Sequence, residues 1–175
     1  MRHVVFVATL FVVVALAAQA PQTPAAAPSL AAEAKAAYNN IKNNLTKMAE
    51  KMPEENYAFQ PVKEIRTFGA LVGHVADAQA RTCSATMGEP KALGASSKTT
   101  KADLVAALKE SFTICDAAYD ALTDANAAEG VRAGRGMRSR LTVLVGNTTH
   151  SNEEYGYMAV YLRLKGIVPP SSEGR

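Results

Sequence analysis

The sequence predicts an all-α protein, a single four-helix bundle, and three observations carry that prediction. Alanine is abundant, Trp is absent and aromatic residues make up only 6% of the 175 residues. Such a composition favours helix, because Ala gives up no side-chain entropy there. Apolar residues recur at steps of three and four in four separate stretches, and no stretch shows the alternation of a strand. Four stripes of roughly three to six turns each can bury themselves only against one another. The chain is long enough for one domain with a proper core and short for two.

Residues 1–20, "MRHVVFVATLFVVVALAAQA", have a basic start, an apolar run from Val4 to Ala18 and then small residues, the pattern of a cleaved signal peptide. Ala18 and Ala20 fit the small-residue cleavage rule, and Ala15 and Ala17 offer a second site. An uncleaved anchor is the alternative, for which the run falls short of the roughly 20 residues that span a bilayer. Export to the periplasm or the outside follows, with no stable membrane span after cleavage. Residues 21–29, "PQTPAAAPS", form a Pro/Ala linker, since each Pro lacks an amide donor.

The domain runs over 30–172. Ser29 caps a first helix whose stripe is Ala34, Tyr38, Ile41, Leu45, Met48 and Met52, with Pro53 at its end. A second helix, about Thr67 to Met87, carries Phe68, Leu71, Val75, Ala78, Thr82 and Ala85. Residues 88–99 are a Gly, Pro and Ser loop. Thr100 with Asp103 resembles a capping box and opens a third helix bearing Leu104, Leu108, Ser111 or Phe112, Cys115, Tyr119 and Leu122. After a Gly- and Arg-containing connector, the last helix spans about Met137 to Lys165, with Met137, Leu141, Leu144, Thr148, Tyr155, Met158 and Leu162 on its stripe. Gly166 supplies a left-handed stop, and Pro169 and Pro170 prevent resumption.

Net charge is +3, with basic and acidic residues mixed along the helices, which does not describe a nucleic-acid surface. Arg132, Arg135, Arg138 and Arg140 stand in a Gly-rich setting without interleaved aromatics and read as a solvated loop. Cys83 and Cys115 are the two cysteines. In an oxidising compartment they close as a disulfide; two small buried hydrophobes are the other reading. No Gly-rich phosphate loop or Ser, His and Asp arrangement is present.

His150 and Glu154 lie one helical turn apart, about 40° on a wheel, beside the apolar face of the last helix. His74 stands one turn from Leu71 and Ala78 on the second helix and also faces inward. Two imidazoles and a carboxylate on facing helices can hold one divalent ion. A hydrogen-bonded core His and a surface His and Glu pair are the plainer reading. Tyr155, Tyr157 and Tyr161 are candidates to line a pocket, or simply amphipathic packing.

"YAFQPVKEIRTFGALVGHVADAQARTCSATMGE" (57–89) and "HSNEEYGYMAVYLRLKGIVPPSS" (150–172) resemble the DinB family of the DinB/YfiT-like metalloenzyme superfamily, which is unrelated to the polymerase of that name. The resemblance implies an up-down-down-up bundle with a divalent metal held by one His of the second helix and two of the last. His74 and His150 match the first two, and Glu154 stands where close relatives carry the third His. The implied ion is zinc, nickel, iron or manganese, which a carboxylate can still serve. In that topology the second and third helices run parallel, which sets Cys83 and Cys115 at nearly the same height.

The expected function is an exported metal-dependent enzyme of hydrolase or thiol-dependent transferase type, acting on a small molecule. The alternatives are a noncatalytic bundle that captures a metal or an apolar small molecule, with a homodimer as its candidate assembly, and a metal-free scaffold.

Overall fold

Ser29 sets where the first helix begins. Its hydroxyl accepts from the amide of Ala32 in the computed structural model of the protein, which describes residues 27–174. The expected signal peptide and the first part of the linker lie outside the described residues. Helix α1 (Leu30–Lys51) has both ends satisfied by distant parts of the chain. The Asp124 carboxylate accepts from the amide of Ala31, and the Lys101 ammonium donates to the carbonyls of Glu50 and Met52. These contacts occupy backbone groups that a helix leaves unpaired at its termini.

Helix α2 (Phe68–Thr86) is capped by Thr67 and α3 (Lys101–Asp120) by Thr100. The expected Thr100 and Asp103 pair is present in modified form: the Thr100 side chain accepts from the Asp103 amide, and its hydroxyl donates to the Asp103 carboxylate. Helix α4 (Arg140–Leu164) ends as expected, with Gly166 at φ 71° and the Ile167 amide donating to the Leu162 carbonyl. This is the left-handed Gly stop with its 6→1 hydrogen bond.

The contacts fix direction. Lys42 pairs with Asp116 and Lys109 with Glu50, so α1 and α3 are antiparallel. Lys51, at the end of α1, meets the Val168 carbonyl and Glu173 just past the end of α4, so those two helices run the same way. His74 faces His150, and the Thr86 carbonyl accepts from Arg140 near the start of α4, so α2 opposes α4. Cys83 and Cys115 are disulfide-bonded with their Cα atoms 5.0 Å apart, and Gly69 and Gly73 near the start of α2 lie against Leu104 near the start of α3, so α2 and α3 run side by side in parallel. The bundle is therefore up-down-down-up. Inside it Tyr38 stacks on Tyr119 at 4.0 Å between ring centroids. The Tyr119 hydroxyl donates to the Leu144 carbonyl beside Thr148 and so ties α3 to α4.

Two details differ from the sequence reading. The connector before the last helix is a β-hairpin, β1 (Gly130–Ala133) and β2 (Gly136–Ser139), paired antiparallel with Ala133 opposite Gly136. Gly134, at φ 61°, takes the first central position of its two-residue turn, the backbone that a II′ turn assigns to Gly. Helix α4 consequently starts at Arg140, and Met137 is an exposed strand residue rather than part of the core. On α2 the buried face extends over Val72, Gln79, Cys83 and Thr86, whereas Thr82 and Ala85 are only half-buried. Contact with both α3 and α4 makes a wider face than a single stripe. Among the described residues no helix is long and apolar enough to cross a membrane.

Candidate metal centre

The position of His74 is fixed by its neighbours on α2. Gly73 lets the loop before α3 come close: a Cβ there would lie 2.9 Å from the Ala95 carbonyl oxygen. One turn on from Gly73, the Asp77 carboxylate accepts from the amides of Ala95 and Ser96 and from the Ser96 hydroxyl. These bonds hold the Asp77 carboxyl below the usual carboxylate range, against the opposing effect of its burial. The stretch of α2 that carries His74 is thus clamped to the approach to α3. Across from it, α4 presents His150 and Glu154 at i and i+4, which share one face of a helix.

The three side chains converge. His74 Nε2 is 3.2 Å from His150 Nε2, and the Glu154 Oε1 oxygen is 3.4 Å from the first and 3.5 Å from the second. These edges form a nearly equilateral triangle. Donors about 2.05 Å from one tetrahedral ion are separated by about 3.3 Å, and octahedral neighbours by about 2.9 Å, on ordinary zinc bond lengths. The observed spacing fits the first. Glu154 is 5% exposed, whereas the two imidazoles are about one-third exposed, at 31% and 33%. The carboxylate therefore forms the floor of the site and the imidazoles its rim.

The polar accounting points to a cation as well. Glu154 Oε2 and Ser151 Oγ are buried without a hydrogen-bond partner, and a buried carboxylate is costly unless a positive charge or a donor compensates it. Burial holds His74 below the ordinary imidazole range; Glu154 opposes that shift, while the charges of Arg66 and Arg81 and the neighbouring His150 reinforce it. A neutral imidazole is the form that ligates metal. Two imidazoles and a carboxylate suit a divalent ion of the zinc, nickel, iron or manganese group. His74, His150 and Glu154 could together hold such an ion.

The family model of the DinB superfamily matches residues 37–158, a span that includes all three of these side chains. The chain belongs to the DinB superfamily. Among solved structures it is similar to a DinB-like protein from Bacillus cereus ATCC 10987, at 16% identity and a TM-score of 0.69, over 78% of this chain and 93% of that one. That likeness concerns the fold. Curated proteins give no match.

The tyrosines of this DinB-superfamily chain have separate placements. The Tyr155 hydroxyl accepts from the Ser171 amide and secures the segment after α4. The Tyr161 hydroxyl donates to the Arg66 carbonyl, and Tyr157 is exposed with its hydroxyl on Glu153. Tyr157 and Tyr161 line a largely apolar cleft of about 720 Å³ together with Ile65, Leu71 and Val160; Tyr155 does not. A second cleft, of about 440 Å³, lies on the other side of the triad and has His150 in its wall. The hairpin helps to enclose it, so the Arg-rich connector that reads in the sequence as a solvated loop is a wall beside the candidate metal centre. Gln79, wholly buried with both amide atoms unpartnered, escaped the sequence reading. Its place four residues before Cys83 on the inward face was the available signal.

Proposed function

We propose that the protein is an exported metal-dependent enzyme, of hydrolase or thiol-dependent transferase type, with a divalent ion held by His74, His150 and Glu154. The observation that carries this reading is the triangle of donor atoms with 3.2–3.5 Å edges above a buried carboxylate oxygen that has no other partner. When bound, the ion supplies Lewis acidity, the chemistry that hydrolysis and thiol transfer share. The chain's own residues prepare for it. Glu154 contributes a negative charge where water is scarce, the clamp at Gly73 and Asp77 keeps one imidazole in place, and the exposed imidazole rim leaves approach from the α2/α4 groove. Two imidazoles and a carboxylate are a donor set that zinc, nickel, iron and manganese all accept. Export is supported by the leader-like residues 1–20 and by the bridged cysteines, since disulfides persist chiefly in oxidising compartments.

A noncatalytic binding protein is the second reading, and the 720 Å³ cleft favours it, because its lining is mostly apolar and includes none of the three ligands. A homodimer is supported by Tyr157, Val160 and Leu164, exposed apolar residues at helical spacing on the outer face of α4. Elemental analysis of protein purified without chelator tests the metal reading, with His150→Ala as the comparison. One ion per chain in the wild type and none in the variant is expected, and equal content would end the proposal. Turnover of ester, amide and thiol-acceptor substrates separates enzyme from binding protein.

A further inference from the structure

The 440 Å³ cleft is chemically unlike its larger neighbour. Its wall contains the ligand His150, the buried Asn147, Thr82, Thr142 and two arginines, Arg81 and Arg138, and no carboxylate. Arg81 lies seven residues beyond His74 on the same face of α2, about 10 Å along the helix axis. Arg138 comes from β2, whose partner strand also carries exposed Arg132. Among the described residues neither Arg81 nor Arg138 is in an ion pair. Arg140, two residues further on, does have partners, in Glu129 and the Thr86 carbonyl. The neighbouring basic residue is therefore structural, whereas Arg81 acts on Asp77, one turn back on α2, only through space, and Arg138 has no carboxylate partner among the described residues.

We infer that this cleft binds a small organic anion, with Arg81 and Arg138 gripping its carboxylate or phosphate group while its reacting end lies beside His150. The inference deepens the metalloenzyme reading, and the reaction at the His150 end rests on that reading. The physical basis is that guanidinium forks hold planar or tetrahedral oxyanions through paired, charge-assisted hydrogen bonds. A span of about two helical turns from Arg81 to His74 leaves room for several heavy atoms between the acid group and the metal. The larger cleft lacks this arrangement, since Arg66 there is accompanied by Glu64 and no ligand of the triad is in its wall.

The test is calorimetric titration of the full chain, zinc-loaded and chelator-stripped, with inorganic phosphate, succinate and neutral succinamide at physiological ionic strength. Wild type is compared with Arg81→Gln/Arg138→Gln and with His150→Ala. Saturable binding of phosphate or succinate to stripped wild type is expected, weakened roughly tenfold or more in the double Gln variant, with succinamide silent. A cooperative thermal melt of that variant with a midpoint near that of wild type shows that it is folded. The tighter of the two anions names the acid group. Equal anion affinity in wild type and the double variant overturns the inference, as does anion binding only when zinc is present. If stripped wild type and His150→Ala bind the anion equally while wild type takes up no zinc, the anion site stands and the metal reading alone falls.

Discussion

Replacing Glu154 by Gln should move stability in opposite senses with and without metal. Glu154 is 5% exposed, places one oxygen 3.4–3.5 Å from two imidazoles and leaves the other without a partner. A buried polar group left unsatisfied costs about 1–3 kcal/mol, more when charged. Gln keeps the shape and the unpartnered polar atom and removes only the charge, so the chelated variant should be more stable than chelated wild type by the excess cost of that charge, on the order of 1 kcal/mol. At about 2–4 °C per kcal/mol for a domain of this size, the midpoint rises by about 2–4 °C. Zinc acts on the other member of the comparison. At a free concentration one hundred times its dissociation constant it stabilises a native-state binder by about 2.7 kcal/mol, and this gain should largely vanish in the variant. Calorimetric melting of both proteins, with chelator and with zinc, gives all four values. A chelated variant less stable than chelated wild type by about 1 kcal/mol or more would refute the reasoning, because the carboxylate would then be satisfied within the protein by a protonated imidazole. An equal zinc shift in both proteins would refute it too.

Three more outcomes follow from the same structure. Cys83→Ala/Cys115→Ala opens a loop of sequence separation 32 and should lose about 3–4 kcal/mol in urea unfolding, on the chain-entropy account; an unchanged midpoint would contradict it. Gly73→Ala puts a Cβ 2.9 Å from the Ala95 carbonyl oxygen and should cost about 1–3 kcal/mol as an overpacked site, while Gly146→Ala, where a Cβ meets nothing within 4 Å, should cost less. In metal-free protein, burial keeps the His74 pKa in the folded state below its unfolded value, so the unfolded chain binds its proton first as pH falls. That contribution to stability is complete above the unfolded value of about 6.5 and is lost as pH drops through the lower folded one. His74→Gln should flatten this slope in melts run from pH 7.5 to pH 5.

The helices were legible because packing and capping agreed locally. Ser29, Thr67 and Thr100 each accept the amide hydrogen bond of a helix start, and Gly166 adopts the left-handed stop. The i, i+4 spacing of His150 and Glu154 put two donors on one face, and His74 faced inward by the same periodicity. Their convergence depends on the antiparallel register of α2 against α4. Periodicity within one helix carries no information about that register; only the family resemblance implied it. The hairpin was hidden for a different reason. Its strands are four residues each and Arg-rich, with one buried residue between them, so alternation had too little length and too little hydrophobic contrast to register. The burial of Gln79 was obscured in turn because α2 faces two neighbours and its inner surface is wider than one stripe.

X-ray absorption at the metal edge of the zinc-loaded full chain tests the central claim most directly, because it reads the donor atoms rather than an effect on stability. The account predicts one tightly held ion per chain, with two imidazole nitrogens at about 2.0–2.1 Å and one carboxylate oxygen at about 2.0–2.2 Å, and loss of one imidazole from the spectrum when His74 is changed to Ala. A spectrum with fewer than two imidazoles in the wild type, or one that the His74→Ala change leaves as it was, would contradict it.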